Sequence, residues 1–173
     1  MAPLATIRRF MWLAAVVLGL VFITAGAYMM SQGLSAKGQV RDTLVAERIT
    51  TPEDASIANA PVDDATTAQA QSDVIKKHVM ETTKGKTYAQ MDRADPLRPT
   101  YLNSVSLRTA LNLAVMGFRV SDLVIGMGAF IIVVGATNIL LTAPLLYWLR
   151  EGETAPAAER KRKVGPPAPF PTG

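Results

Sequence analysis

Two uncharged apolar runs dominate the chain, residues 10–30 (FMWLAAVVLGLVFITAGAYMM) and residues 123–149 (LVIGMGAFIIVVGATNILLTAPLLYWL). A helix over the second run extends roughly 40 Å and one over the first about 32 Å, each enough for the hydrocarbon core of a bilayer. Neither run carries the polar stripe of a helix that lies half-buried on a soluble core. Both are expected to be transmembrane helices. Tyr147 and Trp148, followed by Arg150, mark one interfacial end of the second. The first run also contains Ala25-Gly26-Ala27, an A-x-A pattern of the kind that ends a secretory signal. The apolar stretch continues past it through Met30, and this length favours a retained anchor.

The ninety or so residues between the runs have ordinary polar patterning, enough for a small helical layer. Residues 31–46 can prolong the first helix, with Gly33 and Gly38 weakening it. Thr51-Pro52-Glu53-Asp54 has the form of a helix start, and residues 55–65 read as loop. Asp64 or Thr66 can cap a helix to about Thr83, with Val74, Ile75, Val79 and Met80 on its apolar face and Lys84-Gly85 ending it. Thr87 and Gln90 form a capping-box pattern for a short helix over 87–93, closed by Asp95-Pro96. The last helix is expected to begin near Ser104, well before the second apolar run. Leu107, Leu111, Ala114 and Phe118 share one helical face, with Arg108, Asn112, Arg119 and Asp122 on another stripe. The apolar face is expected to carry the loop domain, burying Ile75, Val79, Tyr88 and Met91, and Asn112 is expected to be idle. Pro144 is expected to kink the end of the second span.

The charge distribution sets the orientation. Residues 31–122 hold eleven Lys/Arg and eleven Asp/Glu, so the net charge of +4 comes from the flanks. There Arg8, Arg9, Arg150, Arg160, Lys161, Arg162 and Lys163 outnumber Glu151, Glu153 and Glu159. Basic residues beside the membrane ends place both termini in the cytoplasm and residues 31–122 outside, and they do not suggest a nucleic-acid partner. The expected class is therefore an all-α membrane protein, two transmembrane helices in an antiparallel hairpin with a small helical extracytoplasmic domain between them. The divisions are residues 1–9, 10–30, 31–122, 123–149 and a basic, Pro-rich tail at 150–173. Arg160, Lys161, Arg162 and Lys163 are candidates for lipid headgroup contact.

Within the spans, Gly19 and Gly26 are seven residues apart, as are Gly128 and Gly135. Seven residues are almost two turns, so each pair lies on one face. In an antiparallel hairpin Gly19 and Gly135 come to similar depth, where small residues let backbones approach. Glycine is also common in membrane helices for no such reason. Asn138 is costly in lipid and is a candidate contact to another subunit. Partners are thus expected to be the bilayer and other membrane proteins.

Candidate chemistry is sparse. The chain has no cysteine and one histidine, His78. His78 and Glu81 share a helical face and Asp73 lies nearby, but a zinc centre normally takes at least three protein ligands. No serine or threonine stands at a spacing that supplies a base, Asp63-Asp64 are simpler as helix-start residues, and Gly126-Met127-Gly128 lacks a phosphate-loop context. No cofactor is expected.

The segments Glu47-Arg48-Ile49-Thr50-Thr51-Pro52-Glu53-Asp54-Ala55, Ala68-Gln69-Ala70, His78, Gly85-Lys86-Thr87-Tyr88-Ala89 and Asp95-Pro96-Leu97-Arg98 resemble small actinobacterial membrane proteins with two hydrophobic segments. Many of these carry the label "aromatic ring-opening dioxygenase". The resemblance covers roughly residues 8–148 and implies two helices flanking an exported loop, with no established activity. Non-haem iron takes something like two histidines and a carboxylate, which one histidine does not supply. The expected role is a non-catalytic accessory or assembly subunit of a membrane complex. The alternative is a metal-binding or enzymatic exported domain built on His78.

Overall fold

The computed structural model describes residues 2–151, with side chains described for residues 10–148. Its regular structure is helical: α1 (Ala2–Ala46), α2 (Ala65–Thr82), a 3-10 turn (Tyr88–Gln90), α3 (Arg98–Thr137), a π turn (Asn138–Thr142) and α4 (Ala143–Glu151). The only β-type pairing among the described residues is an isolated bridge between Thr50 and Pro61. Two helical stretches, Phe10–Ala46 and Arg98–Trp148, are long and apolar enough to cross a membrane. In each, the most apolar window has a mean hydropathy of 2.3 and only 11% of it is buried within the protein. The core helix of a soluble protein would be mostly buried. The chain divides into two compact units, Met1–Ala27 with Ala129–Gly173, and Tyr28–Gly128.

In the first unit, the early part of α1 packs against the end of α3, the π turn and α4. A Cβ built on Gly19 would stand 2.7 Å from the Gly135 carbonyl oxygen, and one built on Gly135 would stand 2.6 Å from the Gly19 carbonyl oxygen. Trp12 and Tyr147 meet edge to face, with ring centroids 6.0 Å apart. The second apolar run is not one uniform helix. In the π turn the Ala143 N–H donates to the Asn138 carbonyl, five residues back. Pro144 explains it: its ring crowds the carbonyl four residues earlier, at Leu140, and it brings no N–H, so the preceding turn widens.

In the second unit, the later part of α1 pairs with the first half of α3, and α2 packs on both. Val40 lies against Gly117, Gly33 against Ser121 and Ile125, and Lys37 Nζ is 2.6 Å from Asp122 Oδ1. α1 runs without interruption through Gly33 and Gly38. The cost of glycine in a helix, about 1 kcal/mol, is offset at Gly33 by contact that a side chain would prevent. A Cβ there would stand 2.7 Å from Ile125 Cγ1 and 3.1 Å from the Ser121 carbonyl. Gly19, Gly26 and Gly33 on α1 and Ser121, Gly128 and Gly135 on α3 are all buried, each set at seven-residue spacing.

The core of this unit joins Leu44 of α1, Val62 of the connecting loop, Ala68 of α2, and Leu111, Val115 and Phe118 of α3. α2 starts where a capping box holds it. The Thr67 N–H donates to Asp64 Oδ1 at 2.7 Å, and the Asp64 N–H donates back to Thr67 Oγ1 at 3.2 Å. It ends as its Lys84-Gly85 signal implies, with both residues at positive φ and the Gly85 N–H on the Met80 carbonyl at 2.7 Å. Left-handed geometry at this point is what glycine supplies most readily.

Four expectations are corrected here. Thr51-Pro52-Glu53-Asp54 opens no helix. Thr51 is buried, and it ties off a loop by donating its N–H to the Ala60 carbonyl at 2.9 Å and accepting the Ala60 N–H on its hydroxyl at 3.0 Å. α3 starts at Arg98 rather than near Ser104, because Pro99 falls in the first turn, where its missing N–H costs nothing. The short helix over 87–93 is a single 3-10 turn, although Gln90 Oε1 does accept the Thr87 N–H at 2.9 Å. Finally, Leu107 is 56% exposed, whereas Ser104, Val115 and Ser121 are buried. With α1 on one side of α3 and α2 on another, the buried sector is wider than a single stripe and centred away from Leu107.

Candidate functional site

Three places hold residues with possible function. The first is the glycine seam. Gly19 and Gly135 meet directly in the first unit, where Gly26 is also buried, and Gly128 is buried in the second unit. Gly126 differs: a Cβ there would meet nothing within 4 Å. Asn138 is half-buried at the head of the π turn, and its side chain makes no hydrogen bond among the described residues. Arg160, Lys161, Arg162 and Lys163 lie outside the described residues.

The second place is a polar cluster where the Thr51–Ala60 loop meets α2. Asp54 Oδ2 accepts from Lys77 Nζ at 2.8 Å and lies 2.9 Å from His78 Nε2. The hydrogen bond from Lys77, and next that from His78, hold the Asp54 carboxyl at about 2, well below its usual range. The same contact raises Lys77. Because all three groups are largely open to water, the cluster is a surface clasp between loop and helix, with little energetic weight. Asp73 is engaged elsewhere, accepting from Gln69 Nε2 at 3.1 Å. Among the described residues no group of three or more His, Asp or Glu side chains is placed to hold a metal ion. His78 and Glu81 are therefore not joined by a third ligand. Asp63 and Asp64 also have separate partners. Asp63 Oδ2 accepts from Arg41 at 2.9 Å, while Asp64 caps α2 and its pKa is lowered mainly by the Thr67 N–H.

The third place has no simple sequence signature. A cavity of about 700 Å³ opens in the second unit between the end of α1, α2 and α3. Val40, Leu44, Ile49, Ile75, Leu111 and Ala114 are among the apolar residues of its wall, and Thr43 lines it as well. Gln71 also lines it, and its Oε1 is buried without a hydrogen-bond partner. Glu47 is the one ionisable residue on the lining. The apolar positions themselves follow from helical periodicity. That they fail to fill the space between them does not, since it depends on α1 ending at Ala46 before it covers Leu107.

A polar pair missed by the stripe reading lies beside the cavity. Ser72 Oγ, on a buried residue, donates to Asn112 Oδ1 at 2.9 Å, so Asn112 links α3 to α2 and is not idle.

No known protein family, curated protein or solved structure matches the chain.

Proposed function

We propose that the protein is a non-catalytic integral membrane protein of the bacterial plasma membrane, an accessory or assembly subunit of a larger membrane complex. α1 and the α3–α4 stretch form a transmembrane hairpin with both termini cytoplasmic. Residues 31–122 form the extracytoplasmic domain it displays. The observation that carries this reading is the pair of uncharged helical stretches whose most apolar windows are only 11% buried. So much unpartnered apolar surface is stable only against lipid or other apolar helices.

The neutral charge of residues 31–122 against the basic flanks supports the orientation. Asn138, half-buried and without a side-chain partner among the described residues, supports a neighbouring subunit at that depth. A display role is preferred to a catalytic one because the single histidine sits in an open surface clasp, and among the described residues no group of three or more His, Asp or Glu side chains is placed to hold a metal ion. Purification in mild detergent tests the proposal. A stoichiometric membrane-protein assembly that weakens on Asn138→Leu is expected, and a monomer free of other proteins would contradict it.

A further inference from the structure

We propose that a second groove, between α2 and α3 at Arg119, binds the phosphate of one acidic phospholipid from the surrounding bilayer. It measures about 460 Å³, and its lining includes Gln69 of α2 and Asn112, Met116, Arg119, Val120 and Leu123 of α3. The α3 residues follow one another at spacings of four, three, one and three, which is one face of a helix. Leu123 opens the uncharged run, so Arg119 stands one turn, about 6 Å, before the apolar stretch. A guanidinium there reaches the headgroup layer of a bilayer.

Charge names the occupant. Arg119 is the only ionisable residue of the lining, it is exposed, and it belongs to none of the ion pairs among the described residues. The acid nearest to it in sequence, Asp122, is taken by Lys37 at 2.6 Å. A phosphodiester supplies the missing negative charge, and the guanidinium fork matches two of its oxygens. A choline or ethanolamine head would bring a cation of its own, for which the lining has no carboxylate. Asp73 lies outside the lining and accepts from Gln69. Asn112 adds donors: its Oδ1 accepts from Ser72 Oγ at 2.9 Å, which leaves its amide N–H groups for a ligand oxygen. The apolar positions favour a lipid over a free anion. Met116, Val120 and Leu123 are each more than half exposed, and Val120 and Leu123 continue from Arg119 to the uncharged run as a bed for an acyl chain. The proposal rests on the membrane-spanning reading above.

The test uses the full chain in phosphatidylcholine nanodiscs holding a small fraction of either phosphatidylglycerol or phosphatidylcholine with a diazirine at the same place in one acyl chain. Labelled peptides are mapped after irradiation. Phosphatidylglycerol label on Met116, Val120 or Leu123 is expected to exceed phosphatidylcholine label about five-fold, the preference one cation confers near a membrane surface. Arg119→Gln should make the two lipids equal there without changing the label on the spans, and Arg119→Lys should keep a weaker preference. Arg93→Gln removes the same charge at an exposed position in the loop before α3 and should leave the preference intact. Equal labelling of the parent by the two lipids, a preference that survives Arg119→Gln, or one lost equally in Arg93→Gln would each overturn the proposal. Loss of the excess label on adding glycerol 3-phosphate would overturn it in favour of a soluble phosphate ester. Labelled spans with no dependence on Arg119 would defeat this proposal alone, whereas unlabelled spans would defeat the membrane-spanning reading and the proposal with it.

Discussion

Gly19 and Gly135 approach so closely that a methyl group on either would stand within 2.7 Å of the other's carbonyl oxygen. Neither backbone can yield without displacing its helix. Gly135→Ala is therefore expected to destabilise the first unit by about 1–3 kcal/mol, as overpacking does in a tight interior. Gly126→Ala, at a site where a Cβ meets nothing, should be neutral or stabilising by up to about 1 kcal/mol through helix propensity. Reversible unfolding in bicelles compares the two. Equal effects would mean that the approach does not exist in the membrane. Gly135→Leu against Ile131→Leu is a coarser version with the same expected order.

A second prediction concerns the core of residues 28–128. Leu111 is buried against Leu44, Val62 and Phe118, so Leu111→Ala should cost about 2–5 kcal/mol and speed proteolysis of the loop domain. Asn112→Ala strips the acceptor from the buried Ser72 hydroxyl and should cost about 1–3 kcal/mol. Leu113→Ala, at an exposed position one residue on, should leave cleavage nearly unchanged. If Leu113→Ala matches Leu111→Ala in a limited-proteolysis series, the buried sector of α3 has been misplaced.

The start of α2 gives a prediction in pH. Asp64 is held below its usual pKa chiefly by the Thr67 N–H, and Asp54 is held at about 2 by Lys77 and His78. A carboxyl with a lowered folded-state pKa contributes stability that is present above its unfolded value, near 4, and fades as pH falls through the folded one. Amide protection at the first turn of α2 and in the Thr51–Ala60 loop, corrected for the intrinsic pH dependence of exchange, should therefore fall between pH 4 and pH 2. Asp64→Asn retains a capping acceptor and should flatten the response at α2, whereas Asp64→Ala should cost about 0.5–2 kcal/mol at neutral pH. An unchanged acid profile in Asp64→Asn would show that the cap is not what titrates there.

How much of this was legible in the sequence depends on whether local spacing carries the information. The two uncharged runs, the α2 cap at Asp64 and the Lys84-Gly85 stop are local signals, and each falls where its pattern places it. The Gly19–Gly135 approach follows from counting residues along two helices. Gly33 shows the limit of that method. Judged alone it weakens a helix, and only its contact with Ser121 and Ile125 explains a continuous α1. Thr51-Pro52 has the composition of a helix start, yet hydrogen bonds to Ala60, nine residues away, outcompete that local preference. The Asn112–Ser72 bond and the cavity beside Gln71 depend on how three helices diverge, which no single-helix periodicity encodes.

The central claim is that two helices cross the membrane and residues 31–122 lie outside. Reporter fusions at Ala60 and at Gly173, one enzyme active only in the cytoplasm and one only beyond it, test this most directly. The account predicts that Ala60 reports the extracytoplasmic side and Gly173 the cytoplasm. Both positions reporting the same side would contradict it.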